Sequence, residues 1–503
     1  MLFRLKINAK NDEIKFGKNA LLLKFFVDTQ KLDKQLESFL GLLNLKINPL
    51  YKEKFLDKET NEIKFHSSEG DPVAVILKKI KTDREFNSDF FRDYLAGLMI
   101  KLKNEPVDSM TLIVPPFKDF EKYFAGEKEF LRSMAEGLQL GNYSFDNYKS
   151  TAKKARPFEV NLHYSDNSLL KRVVTDTNYV MNAVFMARDL VNEPAIKLTP
   201  LELASRAKKE LALPGVKVIV WNKKELEKRK MNAILAVGGA SDNPPCMIII
   251  HYKPAKSAKK KIALVGKGVT YDSGGLSIKP TSGMLDMKAD MAGGAAVIGA
   301  IKAAALLKLP VELIGVVPAV ENMIGGKSYK PGDVIISASG KTIEVKDTDA
   351  EGRIILADAL HYVSGQKPHQ IIDFATLTGA CVVALGEIAA GLFTENNELA
   401  EGLLQASNTT YERLWQMPFW SDYEKMIESE IADVANLGPR WGGAITAGKF
   451  LQNFVDPDIP WAHIDIAGPA LKHKSRSYTE KYNTGFGVRL IIDYLLYTIN
   501  NGK

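Results

Sequence analysis

The second half of the chain alternates short, almost wholly apolar runs with longer amphipathic segments. The runs are rich in β-branched residues and read VKVIV, ILAVG, CMIIIHY, KIALVG and VELIGVV between residues 216 and 317. Segments at 287–307, 353–363 and 487–499 are helix-like. Strands that are apolar on both faces are typical of a parallel sheet covered by helices on each side. The pattern therefore predicts an α/β fold with a large, mostly parallel and partly mixed sheet.

The first part of the chain has a different composition and predicts a separate, smaller α/β domain. It is rich in Lys, Phe, Asn and Asp, and the runs ALLLKFFV, PVAVILKKI and MTLIVPPF are strand-like. An amphipathic segment at 89–103 predicts a helix between them. A further helix is predicted at 176–192 and is stopped by Pro194. We therefore expect an N-terminal domain at 1–170, a linker helix at 171–195 and a larger C-terminal domain at 196–503.

The composition excludes collagen-like, disordered and disulfide-scaffold proteins. Hydrophobic residues make up 46% and charged residues 25% of the 503 residues, as in soluble globular proteins. A net charge of +7 on so long a chain is only weak evidence for a nucleic-acid partner, and we do not expect one. Cys246 and Cys381 lie in apolar runs and are predicted to be free core residues, which fits a reducing compartment. Because no apolar stretch approaches ~20 residues and no secretory signal is evident, we expect a cytoplasmic protein with no membrane partner.

The first polar stretch of interest is GKGVTYDSGGLSIKP at 266–280, directly after the strand-like KIALV. It carries Lys267, Asp272 and Lys279 at the carboxyl end of a strand, where open α/β sheets bind ligands. The stretch lacks the G-x-G-x-x-G and G-x-x-x-x-G-K-[ST] patterns of nucleotide-binding loops. Nucleotide binding is therefore not expected.

Two further stretches place acidic residues near predicted helix starts. MKADMAGG at 287–294 contains Asp290, and DTDAEGR at 347–353 contains Asp349 and Glu351. Asp290 has an alternative role as a helix N-terminal carboxylate that interacts with the macrodipole. Similarly, an N-cap aspartate with acidic first-turn residues would explain one acid of the second stretch. It would not explain three acids, an arginine and a glycine in seven residues.

Together these stretches supply a set of four carboxylates without histidine: Asp272, Asp290, Asp349 and Glu351. The absence of histidine disfavours a His-ligated zinc site. Shared oxygen ligands suit a pair of hard or borderline divalent ions about 3.5–4 Å apart. A salt-bridge network with Lys267, Lys279 and Arg353 is the alternative.

These motifs, in this order, resemble those of the leucyl (cytosol) aminopeptidases. A fourth motif, WAHIDIAGPA at 461–470, and the segments VNEPA and LTP near 191–200 also fit, so the resemblance covers about residues 175–503. The N-terminal part is similar only in size and α/β pattern. The resemblance implies a metallo-exopeptidase, a macro-like N-terminal domain and a homohexamer built as a dimer of trimers.

The resemblance also implies roles for individual residues. Lys267, Asp272, Asp290, Asp349 and Glu351 would be the metal ligands for two divalent ions, Zn²⁺ and/or Mn²⁺ and possibly Mg²⁺ or Co²⁺. Asp272 and Glu351 would bridge both ions. Lys267 would bind as a neutral amine, because two adjacent dications depress its pKa. Lys279 would polarise the scissile carbonyl of a peptide substrate, and Arg353 would anchor a bicarbonate ion that shuttles a proton.

The same resemblance implies a substrate pocket and reveals one departure from the family. Met287, Thr376, Leu377, Gly379 and Ala467 would contact the substrate and favour an apolar first side chain such as Leu or Met. The family usually has asparagine at the position of Asp347, near the site for the second substrate residue. An additional carboxylate there could favour a basic residue after the scissile bond.

Two other functions remain open at this stage. A DNA-binding regulator on an aminopeptidase fold is compatible with the positive charge, although no base-reading motif supports it. A catalytically silent scaffold is the second alternative. The retention of Lys279 and Arg353, which a structural role would not require, argues against the scaffold.

Overall fold

The computed structural model describes residues 3–10, 14, 19–29, 31–57, 59–66, 74–82, 86–151, 154–255, 257–258 and 260–501. The chain forms two compact units, one of Met1–Met181 with Arg476–Tyr478 and one of Asn182–Ser475 with Thr479–Lys503. Each unit contains a sheet of mainly parallel strands together with helices. The predicted α/β class with two domains is therefore confirmed.

The described residues form the following elements. The strands are β1 (Phe3–Lys10), β2 (Ala20–Val27), β3 (Glu62–His66), β4 (Ala74–Ile80), β5 (Ser109–Ile113), β6 (Arg156–His163), β7 (Val216–Trp221), β8 (Cys246–Tyr252), β9 (Lys261–Gly266), β10 (Gly268–Asp272), β11 (Glu312–Asn322), β12 (Val334–Ile336), β13 (Thr342–Glu344), β14 (Gln370–Ala375), β15 (Ala389–Phe393), β16 (Arg413–Gln416), β17 (Val434–Ala435) and β18 (Trp461–Asp465). The helices are α1 (Leu32–Leu42), α2 (Pro49–Leu56), α3 (Phe90–Leu102), α4 (Glu127–Leu140), α5 (Asn167–Asn192), α6 (Pro200–Glu210), α7 (Lys223–Lys228), α8 (Asn232–Val237), α9 (Thr281–Met284), α10 (Ala292–Leu306), α11 (Glu351–Ser364), α12 (Gly379–Leu385), α13 (Asn397–Thr410), α14 (Gly443–Gln452) and α15 (Val488–Asn501). Short 3₁₀ helices lie at Phe117–Asp119, Glu121–Tyr123, Met287–Ala289, Gly238–Ala240 and Ser421–Ile427.

The first unit is built on a six-stranded sheet in the order β1-β6-β5-β2-β4-β3. All of its strand pairs are parallel except β3 with β4. The core on one side of the sheet is rich in phenylalanine, including Phe25, Phe91, Phe120, Phe130 and Phe158. The strand-like runs of the sequence correspond to β2, β4 and β5, so these three strands were predicted correctly.

The second unit is built on a nine-stranded mixed sheet in the order β16-β15-β18-β14-β9-β11-β8-β7, with β10 pairing to β11. The central pairs β18–β14, β14–β9 and β9–β11 are parallel, whereas β7, β8 and β11 pair antiparallel. Helices α10 and α11 are buried along almost their whole length. The predicted mostly parallel, partly mixed sheet is confirmed. A small three-stranded sheet, β12-β13-β17, completes the unit.

One predicted strand is wrong. The run ILAVG lies in helix α8 and its C-terminal end, not in a strand. The carboxylate of Asp358 accepts hydrogen bonds from the backbone N–H groups of Ala233 and Ile234 and so stabilises the first turn of the helix. Periodicity alone does not separate a short buried helix from a buried strand.

The helix predicted at 287–307 is divided. Met287–Ala289 forms a 3₁₀ turn, and the α-helix begins only at Ala292, which leaves Asp290 in the turn between them. Among the described residues, the helical stretch Thr281–Leu306 is long and apolar enough to cross a membrane by length and composition. However, 89% of its apolar window is buried inside the protein, which is typical of a core helix.

The segment between the two sheets contains α5, which begins at Asn167, earlier than the predicted residue 176. The division between the two compact units falls within this helix, at Met181 and Asn182. The following helix, α6, begins with Pro200, and the Thr199 side chain accepts a hydrogen bond from the backbone N–H of Glu202. Both cysteines are free and buried, as predicted.

Candidate active site

The polar stretches identified in the sequence converge at the carboxyl ends of the central strands of the second unit. Lys267 follows β9, Asp272 ends β10 and Thr376 follows β14. Asp290 lies in the turn before α10, and Glu351 is the first residue of α11. Because β9 and β14 are adjacent and parallel, their carboxyl ends open onto one edge of the sheet. Ligands bind at this edge in open α/β folds.

Lys267 is a buried amine with three partners. Its Nζ lies 2.8 Å from Asp290 Oδ1 and 2.8 Å from Glu351 Oε1. It also donates a hydrogen bond to the Thr376 carbonyl at 2.9 Å. Burial by itself lowers the pKa of Lys267, but the charges of Asp290, Glu351 and Asp272 outweigh burial and raise the pKa above its ordinary value. In this arrangement the amine is an ammonium group.

Lys279 forms the second set of ion pairs. Its Nζ lies 2.9 Å from Asp272 Oδ2 and also contacts Asp349 Oδ1. Burial lowers the pKa of Lys279, but the two carboxylates more than offset that effect and raise it. Burial raises the pKa of Asp349 to about 6, and the charge of Asp272 adds to this effect. Lys279 therefore stays charged at neutral pH.

Three of the carboxyl groups are packed closely enough to bind a common cation. One oxygen atom from each of Asp272, Asp290 and Glu351 lies within 4.8 Å of the others, and all three residues are buried. Burial is the main cause that raises the pKa of both Asp290 and Glu351. Asp290 Oδ2 has no hydrogen-bond partner among the described residues. An orphaned carboxylate oxygen in a buried site is costly, and a divalent ion would satisfy it.

The alternative of a pure salt-bridge network explains part of this geometry. Both lysines are ion-paired with the acids, as that alternative requires. Four carboxylates nevertheless face only two ammonium groups, and in the described part of the chain Arg353 makes no ion pair with any of them. The two lysines therefore do not satisfy every carboxyl oxygen, and Asp290 Oδ2 is left without a partner among the described residues. The donor set fits a divalent cation better than the lysines alone.

Arg353 is a buried cation beside this cluster. Its Nη1 donates to the main-chain carbonyl of Asn436 at 2.8 Å, and its buried Nε has no hydrogen-bond partner in the region that the structure describes. Burial lowers the pKa of Arg353 to about 10, while Glu351 and Asp465 oppose this effect. The guanidinium is therefore still charged at neutral pH and has a donor to offer an anion.

A cavity of about 710 Å³ opens onto the cluster. Twelve of the thirteen predicted site residues line it: Lys267, Asp272, Lys279, Met287, Asp290, Asp347, Asp349, Arg353, Thr376, Leu377, Gly379 and Ala467. The thirteenth, Glu351, is buried next to Lys267. The cavity is large enough to hold a small ligand or the end of a peptide.

Sequence reasoning missed Asn322 and Thr348, which join the loops of the site. Asn322 Nδ2 donates to Asp272 Oδ1 at 2.8 Å and to the Thr348 carbonyl at 2.9 Å. Thr348 Oγ1 donates to the Gly274 carbonyl at 2.6 Å. Asn322 could have been predicted, because it is a polar residue at the carboxyl end of the apolar strand β11. The same feature identified Asp272.

Asp465 was also missed, although it lies within the quoted motif WAHIDIAGPA. It ends β18, and its carboxylate accepts hydrogen bonds from the Leu377 N–H, the Thr378 hydroxyl and the Ala467 N–H. Leu377, Thr378 and Ala467 all line the cavity. Asp465 therefore holds one wall of the cavity together.

The sequence matches known families along both parts of the chain. The profile described as cytosol aminopeptidase family, catalytic domain, matches residues 185–492, and that of the N-terminal domain of the same family matches residues 81–152. A probable cytosol aminopeptidase of Geobacter sp. (strain M21) is 48% identical over 367 residues, which cover 72% of this chain and 74% of the relative. A probable cytosol aminopeptidase of Aquifex aeolicus (strain VF5) is 39% identical over 506 residues, covering 99% of each chain.

Solved structures show the same similarity. A mutant of tomato leucine aminopeptidase superimposes with a TM-score of 0.85 at 31% identity, covering 99% of this chain and 97% of the other. The bottromycin maturation enzyme BotP in complex with Mn superimposes with a TM-score of 0.82 at 32% identity, covering 94% and 98% of the two chains. Fold, site motifs and sequence similarity agree over both units. The chain therefore belongs to the cytosol aminopeptidase family and is a peptidase hydrolase.

Proposed function

We propose that this protein is a metal-dependent aminopeptidase that releases N-terminal residues from peptides, with a preference for apolar residues such as Leu or Met. One observation carries the proposal: four carboxylates and two lysines converge at one cavity, and the buried Asp290 Oδ2 is left without a partner among the described residues. Membership of the cytosol aminopeptidase family supports the same activity.

In this proposal two divalent ions would be held by Lys267, Asp272, Asp290, Asp349 and Glu351. The ions would be Zn²⁺ and/or Mn²⁺, with Mg²⁺ and Co²⁺ as alternatives, because carboxylate ligands accept hard and borderline divalent ions. The similar enzyme BotP was solved with Mn. Such ions, when bound, supply a Lewis acid and a water of lowered pKa. Lys267 would have to lose its proton to bind, and adjacent dications would reverse the effect of the carboxylates on its pKa.

The remaining charged residues would bind and orient the substrate. Asp290 would accept a hydrogen bond from the free α-amino group, which restricts cleavage to the N-terminal peptide bond. Lys279 lines the cavity and would donate to the scissile carbonyl oxygen, where negative charge develops. Arg353 would hold a bicarbonate ion, for which its unpartnered buried Nε is the available donor.

Small and apolar groups would receive the first side chain of the substrate. These are Met287, Thr376, Leu377, Gly379 and Ala467, all of which line the cavity. A Cβ added to Gly379 would meet nothing within 4 Å, so this part of the wall leaves room for a side chain. Asp347 would lie near the second residue of the substrate and favour a basic side chain there.

The family also supports a proposal about assembly and location. We infer a cytoplasmic homohexamer, a dimer of trimers, with domains at 1–170 and 196–503 joined by the segment 171–195, which contains most of α5. The relatives named cytosol aminopeptidase are consistent with this location. Sedimentation equilibrium measures the mass of the assembly directly.

The decisive experiment is hydrolysis of leucyl-p-nitroanilide by the whole protein with chelator, and then with Mn²⁺ or Zn²⁺ restored. We expect activity to disappear with chelator and to return with metal. Asp272→Asn should abolish it under every condition. Glu321→Gln is the matched control, because Glu321 is another buried carboxylate on the neighbouring strand that instead binds Ser241 and Asn243. A folded wild-type protein that is inactive with every metal would show that the chain is a silent scaffold.

A further inference from the structure

Asn436 is a buried polar residue outside the set that the motifs identify. It follows the two-residue strand β17, and its exposed fraction is 0%. The residues after it, Leu437 to Arg440, line the cavity. Asn436 therefore lies where one wall of the cavity joins the small sheet β12-β13-β17.

The side chain of Asn436 spans the loop 346–350, which carries Asp349 and leads into Glu351, the first residue of α11. Its Oδ1 accepts hydrogen bonds from the backbone N–H groups of Lys346 at 2.7 Å and Asp347 at 3.3 Å. Its Nδ2 donates to the carbonyl of Asp347 at 2.6 Å and to that of Ala350 at 3.4 Å. One side chain thus holds both ends of the turn that precedes α11.

The main chain of Asn436 holds a second part of the site. Its carbonyl accepts the hydrogen bond from Arg353 Nη1 at 2.8 Å. Its N–H donates to the Glu344 carbonyl at 2.9 Å, which continues the pairing of β13 with β17. The loop and the buried guanidinium are therefore positioned by the same residue.

We propose that Asn436 is a positioning residue, which sets the place of the loop 346–350 relative to Arg353. The role needs a side chain with a donor and an acceptor at the same distance from the backbone. Aspartate has the same shape but no donor, and alanine has neither group. The inference rests on the proposed function for its effect on catalysis, because the loop carries the proposed ligand Asp349 and leads directly into the proposed ligand Glu351, the first residue of α11.

The test compares the full-length wild type with Asn436→Asp and Asn436→Ala. Asn142→Ala is the matched control. Asn142 is another buried asparagine that joins backbone groups, since its side chain accepts from the Phe3 N–H and donates to the Phe3 carbonyl. It belongs to the first unit, whereas the cavity residues belong to the second.

Two readouts separate positioning from a general loss of stability. The first is steady-state hydrolysis of leucyl-p-nitroanilide, measured well below the melting temperature of each variant. Because a displacement of about 1 Å costs about 10²-fold in rate, we expect both Asn436 variants to lose about that much in kcat, with KM changed less than about threefold. The control variant should have a lower melting temperature than the wild type and the same kcat.

The second readout is hydrogen exchange of the peptide that covers residues 345–352, which requires no activity. The N–H groups of Lys346 and Asp347 should exchange faster in Asn436→Ala, because their acceptor is lost. They should also exchange faster in Asn436→Asp, because a carboxylate repels the carbonyls of Asp347 and Ala350 to which Nδ2 donates and so loosens the loop. Exchange of this peptide should be unchanged in the control. Unchanged exchange in this loop, or kcat within about threefold of wild type, would overturn the proposal. If the alanine variant does not fold, the aspartate variant decides. An inactive wild type would defeat the proposed function, while the exchange measurement would still decide whether Asn436 holds the loop.

Discussion

Replacing Gly352 with alanine tests whether the amine of Lys267 must occupy its present position. Gly352 is the second residue of α11 and is buried. A Cβ on this residue would lie 2.6 Å from Lys267 Nζ and 2.8 Å from Lys267 Cδ. Since ordinary van der Waals contact begins at 3.4 Å, the amine has to move by about 0.8 Å.

The amine has no easy way to move, because it is held by Asp290, Glu351 and the Thr376 carbonyl. A misplacement of about 1 Å at a reacting centre costs about 10²-fold in rate, and we expect a loss of that size in kcat/KM. The effect on folding is smaller. Alanine is favoured over glycine within a helix by about 1 kcal/mol, and overpacking costs about 1–3 kcal/mol. The free energy of unfolding should therefore fall by no more than about 2 kcal/mol.

Three measurements check this prediction: calorimetric melting, Mn²⁺ binding by titration calorimetry and hydrolysis of leucyl-p-nitroanilide. Gly41→Ala is the control, because Gly41 lies in helix α1 and a Cβ there would meet nothing within 4 Å. The control should keep full activity and metal binding. If the Gly352 variant binds Mn²⁺ with the wild-type stoichiometry and affinity and keeps its activity, the position of the amine does not matter and our reasoning is refuted.

Two further changes probe other carboxylates of the second unit. Asp358 accepts hydrogen bonds from the N–H groups of Ala233, Ile234 and Ala338, and burial raises its pKa from 3.8 to about 7. An acid whose pKa is higher in the folded than in the unfolded state favours folding when it is protonated. The contribution of Asp358 to the free energy of unfolding is therefore fully present below about pH 4 and is lost as the pH rises to about 7. We expect Asp358→Asn to remove this pH dependence of the free energy of unfolding, measured by urea titration. The variant should also be less stable by about 1–3 kcal/mol at pH 4, because an amide offers only one acceptor oxygen. A pH profile parallel to that of wild type would contradict this. Asp347→Asn should reduce the preference for a basic second residue across a set of leucyl dipeptides; identical profiles for the two proteins would show that the carboxylate has no such role.

Much of the candidate site could be predicted because its residues are polar or charged at positions where the packing of the sheet does not require such residues. Lys267, Asp272 and Thr376 all follow or end apolar strands, and the order of the motifs pointed to the family. Asn436 could not be found in this way. It follows a strand of only two residues, and its partners lie 83–92 positions earlier in the chain. No local pattern encodes such a pairing.

Errors in the fold prediction have the same origin. The run that forms α8 is apolar and short, and the Asp358 carboxylate that caps its first turn is about 125 residues away. Likewise, the apolar periodicity predicted one helix that ran through Asp290. Asp290 instead lies in a turn before α10, where it pairs with Lys267 and accepts a hydrogen bond from the Thr376 hydroxyl.

The sequence by itself determined the alternation of strands and helices, the mostly parallel sheet and the acidic and basic residues available for chemistry. These properties depend on the burial of apolar side chains at a fixed local period, and residues close together in the sequence are enough to recognise that period. Only the tertiary structure decided which acid pairs with which lysine, which buried oxygen is left without a partner, and which amide bonds to the loop 346–350. Those properties depend on distances of about 3 Å between residues far apart in the chain, and such distances exist only once the sheet has assembled.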